Sequence, residues 1–258
     1  EEKRKTGITL TVLGFGSGNL NDAMMEHVSN AGNGVYGVIA TEDQAIDYVN
    51  KRMLSTMTFI AKDVKIQVEF NIEKVHAYRL LGYENRAIAD ELFEDDTVDA
   101  GEIGSGHTVT ALYELVLTGG EIPVAPGAPE IESGDGYQGE IEIAPEDLVL
   151  VKIRYKDVDA AEEDQAYQID TTLNSEQVQA SLDQTSWRLQ WAAAVAAFAE
   201  ILKESPYGNS ANLETITEIV DAHKGDDPDR VEFAELLNVT LGLLDEKGTL
   251  EQTDETQE

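Results

Sequence analysis

Four carboxylates stand close together in the segment FEDDTVDAGEIG: Asp95, Asp96, Asp99 and Glu102, with Gly101 and Gly104 beside them. Hard oxygens on a turning backbone are what Ca²⁺ selects, so a calcium loop is the first chemistry to weigh. The spacing departs from the EF-hand pattern, because Thr97 sits where aspartate or asparagine is usual and the glycine comes one residue late. An exposed acidic connection between two elements is the plainer account. Asp226, Asp227 and Asp229 form a second acidic group, and there capping of a helix start suffices. Paired carboxylates for glycoside cleavage are available in so acidic a chain, yet no spacing singles out a pair.

Nucleophilic and cofactor chemistry find less support. Ser105 precedes His107 in GSGH, but a nucleophile elbow needs G-x-S-x-G and residue 103 is isoleucine. The segment reads as a polar turn leading into a strand. His27, His76 and His223 lie singly, without H-E-x-x-H or another metal-ligand interval. Gly14, Gly16 and Gly18 follow an apolar run and precede a helical pattern, but the dinucleotide fingerprint is G-x-G-x-x-G and this is G-x-G-x-G. A sharp strand-to-helix turn accounts for these glycines. No catalytic residue and no cofactor-binding residue is assigned.

Charge narrows the partners. Eighteen Lys and Arg stand against 51 Asp and Glu, a formal net charge of −33 that repels phosphate backbones, so nucleic acid is not expected as a partner. No run approaches the ~18 consecutive apolar residues of a membrane helix, so no membrane span is expected. With no cysteine, the chain has no disulfide, thiolate metal site or cysteine nucleophile.

The elements that must position these groups fall into three stretches. Residues 1–57 read as β-α-β-α: an apolar strand at 8–15, a helix at 22–31 carrying Ala23, Met24, Val28 and Ala31, a strand at 35–39, and a helix opened by Thr41 and Gln44. Two strands joined by a helix are parallel with a right-handed crossover. A parallel sheet needs further strands and helices on both faces, so the missing members are expected upstream, and the opening EEKRK reads as the end of a helix.

Residues 58–174 read as an antiparallel β-domain. Val64, Ile66, Val68 and Phe70 alternate with Lys65, Gln67, Glu69 and Asn71, and after turn-type residues at 71–74 the run 75–83 is expected to fold back as a hairpin. Further strands are expected at 108–117, 148–155 and 167–173. In LVLVKIRY both faces are apolar, as in a central strand. Residues 119–145, with four prolines and several glycines, read as a long exposed loop.

Residues 175–248 are helical. Trp187, Trp191, Val195, Phe198 and Leu202 form an apolar stripe, with alanines between them, narrow enough to approach a sheet closely. Asn212 caps a helix facing inward through Leu213, Ile216 and Val220; Asp227 and Pro228 open a last helix with Val231, Ala234, Leu237, Leu241 and Leu244 inside. Residues 249–258 are expected to form an acidic tail.

TVLGFGSGNLNDAMMEHVSNAGNGVYGVI resembles the last β-α-β of a von Willebrand factor type A (vWA) domain. IAKDVKIQVEFN, AYRLLGYENR, DAGEIGSGHTVTALYE, LVLVKIRYK and WAAAVAAFAEILKESPYG are similar to the region that follows this domain in bacterial envelope proteins, often lipoproteins. The resemblance implies an α+β chain: the C-terminal β-α-β-α remnant of a Rossmann-like vWA domain, then an antiparallel β-domain packed by a C-terminal helical segment. It also implies a cell-envelope location and a non-catalytic role in binding or scaffolding, with an unidentified protein partner. Mg²⁺ is expected in the complete vWA domain, but no D-x-S-x-S occurs in these residues, so no metal residue carries over. Two rivals remain: a carboxylate-dependent hydrolase of a cell-wall or sugar polymer, and a calcium-stabilised adhesin module.

Overall fold

The computed structural model describes residues 8–16, 18–82, 88–98, 100–123, 143–161, 163–209 and 212–254, with backbone alone at 54–55, 91 and 244–254. In chain order the main elements are β1 (Val12–Phe15), α1 (Asp22–Ala31), β2 (Tyr36–Ile39), α2 (Glu42–Asp47), a π turn (Tyr48–Arg52), α3 (Met53–Met57), β3 (Phe59–Phe70), β4 (Val75–Leu81) and a 3-10 turn (Asp90–Leu92). After these come β5 (Gly101–Gly104), β6 (Leu112–Leu117), β7 (Asp147–Lys156), β8 (Tyr167–Asn174), α4 (Trp187–Leu202), α5 (Leu213–His223) and α6 (Pro228–Asp254). The chain is a mixed α+β protein whose longer strands pair antiparallel. It divides into two compact units that exchange the chain several times: Glu1–Phe70, Ala87–Val109 and Val149–Leu173 in the first, and Asn71–Arg86, Thr110–Leu148 and Asn174–Glu258 in the second.

In the first unit β1 and β2 are parallel, from Val12 opposite Tyr36 to Phe15 opposite Ile39. Asn21 caps α1 by accepting from the Met24 N–H at 3.0 Å. The buried side of α1 is Met25 and Ser29, whereas Met24 and Val28, two of the apolar residues whose spacing predicts the helix, are exposed. The glycine turn after β1 forms with Gly16 at φ +99°, its N–H donating to the Ile39 carbonyl at 3.0 Å. Gly34 is required by close approach: a Cβ there would lie 1.9 Å from the Leu10 carbonyl oxygen, which is backbone and cannot rotate away. Gly34→Ala is therefore expected to cost about 1 to 3 kcal/mol by overpacking, read as faster amide exchange across β1 and β2.

The same unit holds a four-stranded sheet in the order β5-β3-β7-β8. Residue 147 to residue 156 is the central strand that two-sided apolarity predicts, with Phe70 opposite Val149 and Ile66 opposite Ile153. The expected hairpin between β3 and β4 does not form. Asn71 prevents it, since its backbone N–H donates to the Leu148 carbonyl and its side-chain amide to the Asp147 carbonyl, both at 3.0 Å. The chain leaves β3 still attached to the β7 end, and β4 pairs instead with β6, with Arg79 opposite Glu114. Glu102, read as a loop residue, belongs to strand β5. Register shifts in β3 around Asp63, which has φ +52°, mark bulges where β5 and β7 join it.

The helices of the second unit bury their apolar sides against one another. Ala194 and Phe198 of α4, Leu213, Ile216 and Val220 of α5, and Ala234 and Leu237 of α6 form one core, with Trp191, Ile201, Phe233 and Leu241 partly buried around it. This corrects the expected sheet-facing stripe. Four-residue steps from Trp187 advance about 40° per step around a 3.6-residue helix, so Trp187 and Leu202 turn to solvent and Ala194 and Ile201 take the buried side. Asp227 caps α6 as expected, accepting from the Arg230 N–H at 3.1 Å. Asn212 precedes α5 without a side-chain capping bond. Helix α6 runs through Gly248 to Asp254, past the expected start of the tail. Residues 124–142 of the expected loop, residues 1–7 and the last four of the tail lie outside the described residues.

Candidate functional site

Strand β7 carries a row that sequence reading did not single out. Lys152, Arg154 and Lys156 alternate with Ile153 and Tyr155, so all three cations project from one face. Lys156 is 1% exposed and Lys65, on neighbouring β3, 4%. Fully buried lysines are rare unless paired. The signal was present: in a chain with only 18 cations, three of them recur at period two within an apolar strand.

What these cations hold is the acidic segment. The Lys65 ammonium donates to the Leu92 carbonyl at 3.2 Å and to the Asp95 carbonyl; Lys156 donates to the Asp96 carbonyl at 2.7 Å. The Arg154 guanidinium pairs with the Asp96 carboxylate at 2.8 Å and lies 5.9 Å from the centre of the Phe93 ring. Asp96 also accepts from the Ala166 N–H at 3.3 Å. Lys152 pairs with Glu69 at 2.8 Å, and the Asp63 carboxylate stands 3.8 Å from Lys156. Backbone carbonyls and acids of one turn are thus clasped onto the sheet by buried ammonium and guanidinium groups.

The candidate calcium residues go to separate partners. Asp95 turns back on its own loop, accepting from the Thr97 N–H at 2.9 Å and the Thr97 hydroxyl at 2.7 Å. Asp96 faces Arg154, and Glu102 accepts from the Asn33 amide at 2.8 Å. Asp99 lies outside the described residues. Among the described residues no three acids or histidines gather closely enough to hold an ion. Ser105 sits in a turn, its N–H bonded to the Thr58 carbonyl at 2.8 Å. His27, His76 and His107 are exposed, and His223 bonds the Gln190 side chain at 2.9 Å.

The electrostatics follow from this wiring. Burial lowers the Lys65 ammonium below the ordinary lysine range, against the upward pull of Asp96. Burial alone would raise the Asp96 carboxyl, but the Arg154 guanidinium, the Ala166 N–H and Lys156 together hold it below the usual range. Asp95 is lowered by the Thr97 hydroxyl and N–H.

In the second unit one arginine does similar work. Arg79 of β4 bonds Glu114 across the ribbon, pairs with Glu200 of α4 at 2.8 Å, and lies 4.1 Å above the Tyr207 ring. Ser205 also donates to Glu200 at 2.8 Å. A shallow depression lined by Ala77, Arg79, Val116 and Tyr207 opens beside them.

Set beside known proteins, residues 55–243 match the family model described as "Uncharacterized protein YfbK, C-terminal". The chain belongs to this YfbK C-terminal family. It is also similar to the uncharacterized protein YfbK of Escherichia coli (strain K12), with 34% identity over 250 residues, covering 95% of this chain. The chain spans 41% of that relative's length. No solved structure matches it. Within the stretch that defines this YfbK C-terminal member lie both clasps, the Arg154 row and the Arg79 knot.

The second clasp has a measurable acid signature. Burial alone would raise the Glu200 carboxyl, but hydrogen bonds from Arg79 and Ser205 and the Arg79 charge hold it below the usual range. A depressed folded-state pKa stabilises the fold at pH above the unfolded value of ~4.3 and ceases to do so as pH falls through the lower folded value. Glu200→Gln is therefore expected to be less stable than the native chain at pH 7, with the gap narrowing below pH ~4. Tryptophan fluorescence during urea unfolding at each pH reads this directly, since Trp187 and Trp191 both lie on α4, the helix that carries Glu200.

Proposed function

We propose that this chain is a non-catalytic protein-interaction or scaffold module, the C-terminal part of a larger cell-envelope protein whose preceding vWA domain ends within the first 57 residues. The observation that carries the reading is the parallel β1-α1-β2 unit with its apolar residues uncovered. Phe15 is 68% and Met24 55% exposed, and Val28, Tyr36 and Val38 are exposed beside them. Parallel sheets are stable when both faces are covered, so such a surface suits a domain completed by further strands and helices. A relative more than twice as long supports the same reading.

The Mg²⁺ of a vWA adhesion site does not fit the residues present. There is no D-x-S-x-S, and Asp95, Asp96 and Glu102 are each turned to a different partner, Thr97, Arg154 and Asn33. Nothing in this segment is therefore assigned to the ion. No helix among the described residues is long and apolar enough to cross a membrane.

The absence of cysteine makes the test direct. A thiol placed by Met24→Cys or Val28→Cys should react at least about tenfold more slowly in the longer protein than in this chain alone, as burial removes reagent access. Equal rates would defeat the completed-domain reading. Purified chain should give no turnover of peptidoglycan or oligosaccharide; turnover abolished by replacing one carboxylate would make it a hydrolase instead.

A further inference from the structure

Strand β8 ends the sheet order β5-β3-β7-β8, so among the described residues one of its edges faces no other strand. All seven residues 167–173 are exposed, an unusual state for a strand of this length. Tyr167, Ile169 and Leu173 share one face by alternation, and Tyr167 and Ile169 are 55% and 54% exposed. The Tyr167 ring lies 5.6 Å from that of Tyr155, so this apolar row continues the face of β7 opposite the clasped cations. Natural edge strands are protected by lysine, proline, bulges or shortness. β8 has no lysine and no proline, and it runs for eight residues.

Charge says what this edge would accept. Residues 157–173 contain six carboxylates and no lysine or arginine. A second copy of the chain would set six carboxylates against six, which strongly disfavours self-pairing at low salt. A segment with cations between its apolar residues meets opposite charge while its backbone completes the ladder.

We infer that the outer edge of β8 takes up an extended, basic segment of a partner protein as a fifth strand, with apolar residues of that segment packing beside Tyr167 and Ile169. This inference rests on the interaction-module reading and names its surface and the chemistry of its partner.

The test uses the whole chain and a fluorescent peptide alternating valine or isoleucine with lysine or arginine. Anisotropy should show saturable binding that weakens between ~50 mM and ~500 mM salt. Ile169→Lys, at an exposed position, should weaken it at least about tenfold by placing like charge against the peptide. Leu236→Lys on exposed α6 should leave it unchanged. Amides of residues 167–173 should gain protection from hydrogen exchange when the peptide binds. Equal binding by a proline-interrupted peptide of the same charge, or by Ile169→Lys, would overturn the inference in favour of unspecific attraction. Self-association abolished by Ile169→Lys would overturn it in favour of a second copy. If the peptide fails while cross-linking in the envelope still yields a discrete partner through other positions, only the β8 assignment falls; if both fail, the interaction-module reading falls with it.

Discussion

Replacing Phe198 by alanine is expected to destabilise the helical core by about 3 to 5 kcal/mol, the range for truncating a buried aromatic ring. Phe198 is 2% exposed and lies at the centre of the packing of α4 on α5 and α6. Its ring meets that of Phe233 edge-on, with centroids 5.6 Å apart and planes at 87°, the arrangement that aromatic quadrupoles favour. Ala194, Ile216 and Leu237 belong to the same core, and a methyl group in place of the ring leaves most of its space empty. Trp191 is the less damaging site: it is partly buried, with one side against Phe233 and Arg230 5.9 Å from its ring. Urea unfolding followed by tryptophan fluorescence should show a lower midpoint with an unchanged slope. A shift smaller than that of Trp191→Ala would mean that the core is centred elsewhere.

Removing the Asp96 carboxylate should be the most damaging polar change in the first unit. Asp96→Ala leaves the Arg154 guanidinium, whose side chain is 13% exposed, facing a void, and the Arg154 Nε is already buried without a hydrogen-bond partner. It also takes negative charge from beside Lys156. Breaking a buried pair by deleting one partner costs about 3 to 5 kcal/mol. Because the Asp96 side chain is 25% exposed, water screens part of this, and about 2 to 4 kcal/mol is expected. Hydrogen exchange along β3 and β7 reads the loss in this unit. The double variant Asp96→Ala with Arg154→Met should recover most of it, since the orphaned charge is then gone. Equal costs of Asp96→Ala with and without Arg154 would show that the two do not act as a pair.

The clasp also explains why the acidic segment looks like a calcium loop when its sequence is taken alone. Asp95, Asp96 and Glu102 are close in sequence and carry the right oxygens, but their spacing says nothing about what lies opposite. Lys65, Arg154 and Lys156 come from positions 27 to 60 residues away. These cations satisfy the turn from beneath, and the carboxylates point to three different partners.

The sequence by itself determined the local elements: β7 and β8 to within a residue or two, the span of α1, the Asp227-Pro228 start of α6, and the buried triad of α5. Periodicity, capping and φ preference act within a few residues, so they are legible in one dimension. Only the tertiary structure decided that β3 pairs with β5 and β7 rather than with β4, that Ala194 rather than Trp187 is buried beside Phe198 on α4, and that the cations of β7 point under the acidic turn. Strand pairing and helix rotation depend on which distant surface offers hydrogen bonds and apolar area, and that is a property of contacts between segments, which no single segment carries.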